Sequence, residues 1–177
     1  MIALGALKET DGLVMRAADF ARTMHEGQVR KYTGEPYFNH VERVAERLTQ
    51  INAQIEAIAA GYLHDVMEDC GVSMDALCKD FGGPVARLVW WVTNQAPKSF
   101  GNRAERKAFE CERLAGAPRG AQNIKLADII DNTRDLKSHD PEFWKVYRGE
   151  KVAAVSAMTK GDYILRDRAL MILEWSE

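Results

Sequence analysis

The chain has 177 residues, 46% of them hydrophobic and 28% charged, with 24 basic residues against 26 acidic ones for a formal net charge of −2. That length predicts one domain with a core of its own, and the composition excludes a disordered tail, a collagen-like rod and a disulfide-stapled miniprotein. Without a bulk positive field neither nucleic acid nor an anionic membrane is an expected partner, so an anionic substrate needs a local basic cluster or a metal.

Helical periodicity runs through nearly the whole chain, and strand-like alternation is hard to find. Asp11 is placed to cap a first helix that turns Leu13, Val14, Ala17, Ala18, Phe20 and Ala21 inward. Residues 27–36 (GQVRKYTGEP) read as a basic, polar loop. A second helix is predicted from about Asn39 to Thr49, with Val41, Val44, Ala45 and Leu48 on one face. Asn52 is placed to cap a third, apolar nearly all round, that runs to about Glu68 and should be central. Ser73 caps a short helix ending at Phe81-Gly82, and another follows from about Pro84 to Val92. Residues 94–101 read as a flexible loop, and 102–115 as a helix with one solvated charged side. Pro118 to Gly120 reads as a turn before a strong helix from Ala121 to about Leu136. Two more helices are expected, at about 141–158 and 162–175. The expectation is one all-α domain over residues 1–177.

Cys70, Cys78 and Cys111 match neither a CxxC nor a zinc-finger spacing and read as reduced thiols. The N-terminal segment lacks the basic region of a signal peptide, and no run approaches the roughly 20 apolar residues that cross a bilayer. A soluble, cytoplasmic protein is expected.

Chemistry is concentrated in two places. His64, Asp65, Glu68 and Asp69 end an otherwise apolar helix, where unpaired charges would cost several kcal/mol each. Helical spacing puts His64 near Glu68 and Asp65 near Asp69. A second apolar helix carries Asp128, Asn132 and Asp135 along one stripe, with Lys125 one turn before Asp128. Acidic residues at helix ends commonly cap, pair with Arg or face water. Two such helices, with a further imidazole placed earlier on a helix at His40, favour a shared divalent cation, which turns carboxylate repulsion into coordination. Mixed His and carboxylate ligands suit Mn, Fe, Zn or Ni better than Ca or Mg. His25 reads as a helix-end packing residue and His139 as loop surface.

The order His40, His64-Asp65, Asp128 resembles the H…HD…D signature of the HD-domain metal phosphohydrolases. The flanking residues narrow the likeness. Phe20-Ala21, His25-Glu26-Gly27-Gln28, Arg30-Lys31 and Gly34-Glu35-Pro36-Tyr37 resemble the opening of the hydrolase domain of RelA/SpoT-type alarmone enzymes and their stand-alone small relatives. Leu63 to Asp69, Phe81-Gly82, Val92-Thr93, Arg106-Lys107 and Ile124 to Asp128 with Asn132 continue it in order. Val41 stands where that family usually has proline, and the loop Lys31 to Gly34 is one residue longer than in the long enzymes.

The resemblance implies one divalent metal, usually manganese, on His40, His64, Asp65 and Asp128. It implies Glu68 and Asp69 as the catalytic pair that positions or activates water or assists the leaving group. It implies Arg30, Lys31, Asn132 and Arg148 around the nucleotide, with Lys125 adding positive charge. The implied reaction is release of pyrophosphate from the 3′ position of a guanosine 3′,5′-bis(diphosphate)-type alarmone. Hydrolysis of another nucleotide phosphate, such as a nucleoside monophosphate or the 2′-phosphate of NADPH, uses the same site; a silent nucleotide-binding module is the non-enzymatic alternative. No synthetase or regulatory domain is expected.

Overall fold

The computed structural model describes residues 4–174, with side chains from residue 12 onward except at positions 98 and 135. Its helices are α1 (Leu4–Met24), α2 (Phe38–Gln50), α3 (Ile55–Leu63), α4 (Val66–Asp69), α5 (Met74–Phe81), α6 (Gly83–Val92), α7 (Arg103–Gly116), α8 (Arg119–His139), α9 (Pro141–Ala157) and α10 (Tyr163–Glu174). A 3-10 turn, Lys98–Phe100, lies between α6 and α7. Among the described residues there is no strand, only one isolated bridge between Val29 and Pro36 in the α1–α2 loop. The all-α expectation holds.

Two helices organise the rest. α3 packs against α1, α2, α6 and α8, and α8 packs against α2, α3, α6, α9 and α10. Both are buried on most sides, which explains why their apolar residues surround the helix rather than form a stripe. Val41, Val44, Ala45 and Leu48 of α2 are buried as their spacing requires. The α2–α3 contact depends on Gly61, where a Cβ would meet Leu48 Cδ1 at 2.6 Å and the Ala45 backbone at 3.4 Å. That close approach brings the first turn of α2 beside the end of α3, where the histidines lie.

Several boundaries differ from the sequence reading. α1 begins at Leu4 and runs through Asp11, so Asp11 does not cap it. Asn52 adopts a left-handed φ of 52° and turns the chain, while the cap position of α3 falls at Gln54. The expected helix to Glu68 breaks after Leu63 and resumes at Val66. Pro118 sits at the cap of α8, so the helix starts at Arg119 and residues 118–120 are not a separate turn. His139 is the last residue of α8, not loop, and is exposed. Residues 94–96 are not free: the buried Glu110 carboxylate accepts from the Gln95 and Ala96 backbone N–H groups at 2.6 and 2.7 Å. For the same reason the polar side of α7 is not wholly solvated. Ser73, Asn102 and Asp140 accept N–H bonds at their helix starts, Asn102 within a capping box. The three cysteines are free. Trp175, the expected end of α10, lies outside the described residues. No helix among the described residues is long and apolar enough to cross a membrane.

Candidate metal centre and nucleotide pocket

Three segments meet at the end of α3. His40 comes from the first turn of α2, His64 and Asp65 from the break between α3 and α4, and Asp128 from the middle of α8. Ligand atoms of His40, His64 and Asp65 all lie within 4.8 Å of one another. Asp128 reaches in from the opposite side, its Oδ1 3.5 Å from His40 Nε2 and 3.8 Å from His64 Nε2. Asp65 Oδ2 lies 3.6 and 3.0 Å from the same two nitrogens.

Each imidazole is fixed through its other nitrogen. His40 Nδ1 is 2.8 Å from Asp131 Oδ2, and His64 Nδ1 is 2.8 Å from the Gly61 carbonyl oxygen. Both partners only accept, so each Nδ1 carries a hydrogen and each Nε2 is the nitrogen turned toward the carboxylates. Both Nε2 atoms are buried without a hydrogen-bond partner. Two imidazole nitrogens facing two carboxylates, largely withdrawn from water, require positive charge between them, supplied by protons or by a metal ion. Imidazoles backed by a carboxylate and a backbone carbonyl are the usual support for metal-ligating histidines. The donor set therefore fits a divalent transition ion.

The titration behaviour carries the same message. Burial alone would lower the pKa of both imidazoliums, but Asp128, Asp131 and Asp65 outweigh it, raising His40 to about 9. Asp65 and Asp128 do the same for His64, raising it to about 10. Burial also works against the Asp65 and Asp128 carboxylates, yet His64 beside the first and Lys125 beside the second hold both well below the usual range. Protons occupy in the bare protein the role that a cation would take.

The surrounding residues divide into supports and walls. The Tyr37 hydroxyl donates to Asp65 Oδ2 at 2.7 Å, and His25, buried just after α1, stacks its ring 4.8 Å from Tyr37. Lys125 Nζ lies 2.8 Å from Asp128 Oδ2, and Asn132 Nδ2 donates to Asp128 Oδ1. Arg30 Nη2 donates to Asn132 Oδ1 at 2.7 Å, which extends the chain outward. It opens into a pocket of about 330 Å³ walled by Arg30, Tyr32, Tyr37, Asn132, Phe143 and Tyr147, with Lys31 at its rim. Glu68 is exposed on α4 and accepts from Asn94 Nδ2 at 2.9 and 3.0 Å. Asp69, beside it, has its carboxyl pushed up by burial and by Asp65.

Of the residues singled out from sequence, His40, His64, Asp65, Asp128, Lys125, Asn132 and Arg30 form one continuous arrangement. Lys31 stands at the pocket rim, its Nζ 3.1 Å from the Tyr32 hydroxyl. Arg148 does not join them: it is exposed, and its Nε donates to the Leu173 carbonyl of α10 at 2.7 Å. One residue before it on α9, Tyr147 faces the pocket instead. The side chain of Asp135 lies outside the described residues. Sequence reasoning missed Asp131. Its carboxylate is fully buried and also accepts from Arg43 Nε at 2.8 Å, Arg43 Nη2 at 3.0 Å and Arg47 Nη1 at 2.9 Å. The signal was present: an acidic residue directly after Ile129-Ile130, on an apolar helix, opposite a helix carrying Arg43 and Arg47 at four-residue spacing.

Comparison with known proteins agrees with this geometry. A family model described as HD domain matches residues 17–153. The chain is 38% identical over 138 residues to the human guanosine-3′,5′-bis(diphosphate) 3′-pyrophosphohydrolase, a match covering 76% of this chain and 75% of that one. It is also 38% identical over 127 residues to the Vibrio cholerae protein of that activity name, covering 69% of this chain and 18% of the longer relative. A solved structure described as a metazoan ortholog of SpoT that hydrolyzes ppGpp matches with a TM-score of 0.81 at 30% identity, over 92% of this chain and 94% of that one. The chain thus belongs to the HD-domain family of hydrolases, in the group formed by RelA/SpoT-type hydrolase domains and their stand-alone small relatives.

Proposed function

We propose that the protein is a manganese-dependent hydrolase of guanosine 3′,5′-bis(diphosphate)-type alarmones that acts in the cytoplasm and releases pyrophosphate from the 3′ position. The observation that carries this reading is the hydrogen-bonded chain from Arg30 through Asn132 to Asp128, which joins an aromatic pocket to the four candidate ligands. Human and Vibrio cholerae relatives named for this activity support the substrate class.

His40, His64, Asp65 and Asp128 would hold the ion. When bound, it supplies Lewis acidity and lowers the pKa of water from about 15.7 to about 7. The remaining work falls to the chain. Tyr32, Tyr37, Phe143 and Tyr147 offer flat apolar faces to a purine. Arg30 and Lys31 border the same pocket and draw the polyanion toward a carboxylate-rich centre. Lys125 stabilises charge spreading over the phosphoryl oxygens. Glu68 takes a proton from the attacking water, and Asp69, whose raised pKa keeps a proton longer, returns one to the departing 3′-oxygen. The water oxygen joins the phosphorus nearest the ribose, the bond to the 3′-oxygen breaks, and GDP or GTP and pyrophosphate separate.

A nucleotide panel with manganese, read for pyrophosphate and orthophosphate, tests the reading. Pyrophosphate from the alarmone, lost in His64→Ala and Asp65→Ala variants that keep their helical circular dichroism, is the expected result. Orthophosphate release from monophosphate esters alone, or saturable binding without turnover, would overturn it.

A further inference from the structure

Beside Lys125, α7, α8 and α9 border a cavity of about 80 Å³ whose lining includes Lys107, Lys125 and Lys151 together with Glu110, Glu150 and Asn94. Its charge balance is unusual. Glu110 is engaged by Arg113 at 3.0 Å and by two backbone N–H groups. Glu150 is engaged by Arg103 at 2.7 and 2.9 Å. Lys125 is shared with Asp128. Among the described residues Lys107 and Lys151 have no ion-pair partner; the Lys151 ammonium lies only over the Tyr147 ring, 5.1 Å from its centroid.

Crowding partly buried ammonium groups together without a direct ion pair is unfavourable, and the nearby carboxylates of Glu150 and Asp128 offset it only in part. Both feel that cost: burial and the neighbouring Lys125 lower the pKa of Lys107, and bring that of Lys151 down to about 8. Three lysines converging on one small cavity call for an anion of high charge density. The cavity adjoins the metal centre through Lys125, while Tyr147 separates Lys151 from the nucleotide pocket. A substrate with its base among the aromatic walls and its scissile phosphorus at the centre would send its outer phosphate toward the lysines.

We propose that this cavity receives the terminal phosphoryl group of the diphosphate being removed, and that Lys151 sets a preference for diphosphate over monophosphate esters. The assignment rests on the proposed alarmone reading. The bond changes remain those given above, and the released pyrophosphate is left with its outer phosphate among Lys107, Lys125 and Lys151.

The test titrates inorganic pyrophosphate and orthophosphate into manganese-loaded wild type, Lys151→Met and Lys151→Arg, by calorimetry and thermal denaturation. Pyrophosphate should bind wild type more tightly than orthophosphate does. Lys151→Met should weaken pyrophosphate by about tenfold, the worth of one charge-assisted hydrogen bond, and leave orthophosphate within about twofold; Lys151→Arg should restore pyrophosphate. Without anion, Lys151→Met should melt higher than wild type because an unpaired buried charge is gone, whereas a merely structural lysine would melt lower when removed. Unchanged pyrophosphate affinity in Lys151→Met, or equal affinity of wild type for the two anions, would overturn the assignment even if the alarmone is hydrolysed. Lys151-dependent pyrophosphate binding without alarmone turnover would overturn the substrate reading and leave the anion site standing.

Discussion

Asp131→Asn tests how the fold imposes its geometry on the metal centre. The substitution nearly preserves volume, yet all four groups that meet the Asp131 carboxylate donate: His40 Nδ1, Arg43 Nε, Arg43 Nη2 and Arg47 Nη1. An amide has one accepting oxygen. If that oxygen stays toward Arg43 Nε and Arg47, the amide nitrogen faces His40 and donates to it. His40 must then accept at Nδ1 and move its hydrogen to Nε2, the atom meant for the ion. Loss of such a supporting partner lowers metal affinity about 10- to 100-fold, or about 1.4–2.7 kcal/mol. Stability falls as well, since breaking a buried ionic contact costs about 3–5 kcal/mol. The lower end applies because Arg43 keeps its two-pronged contact with Glu35 at 3.0 and 2.7 Å. About 3 kcal/mol corresponds to a Tm lower by about 6–12 °C. Manganese calorimetry beside thermal denaturation separates the two effects. A lowered Tm with unchanged manganese affinity would show that Asp131 does not orient His40 and acts only as a clamp between α2 and α8.

Three further predictions follow from the same geometry. Glu68→Gln should keep its manganese and lose most of kcat, because Glu68 sits on α4 outside the ligand cluster; unchanged kcat would remove it from the mechanism. Arg30→Ala should mainly raise KM for the guanosine polyphosphate, while Arg148→Ala, tied to Leu173 and away from the pocket, should leave KM unchanged; the reverse pattern would contradict the placement of both. Manganese affinity should tighten as pH rises from about 6 toward 9, with protons released on binding, because His40 and His64 hold protons up to about 9 and 10. The sign for stability runs the other way in the metal-free protein. These pKa values are raised on folding, so their stabilisation is complete below about 6.5 and fades as pH climbs through 9 to 10. Calorimetry in two buffers of different ionisation enthalpy reads the released protons, and a pH-independent affinity would be the contrary result.

The candidate ligands stood out in the sequence because their residue types contradict their surroundings: an imidazole and carboxylates on helices otherwise filled with Leu63, Val66, Ile124 and Ile129 call for a partner. Amphipathic α2 was equally readable, since one buried face leaves a 3.6-residue period. Local signals failed where tertiary contacts decided the outcome. The break at His64-Asp65 carries no proline or glycine to announce it, and it leaves Asp65 and His64 facing one centre. Asn52 is a good capping residue that the chain uses instead for a left-handed turn. Arg148 and Tyr147 are adjacent on α9, and a one-residue difference in facing puts Tyr147 at the pocket and ties Arg148 to Leu173, a distinction the sequence match alone does not make. Asp131 went unassigned because its partners on α2 lie 84 to 91 positions away, and Lys107 and Lys151 because they meet Lys125 only once α7, α8 and α9 pack.

His40, His64, Asp65 and Asp128 are expected to grip one cation. Anomalous scattering at the manganese absorption edge, from crystals grown with manganese, tests it directly. One strong peak in coordination distance of both Nε2 atoms and both carboxylates is the predicted result. A peak bound elsewhere, or none at that point at saturating manganese, would contradict it.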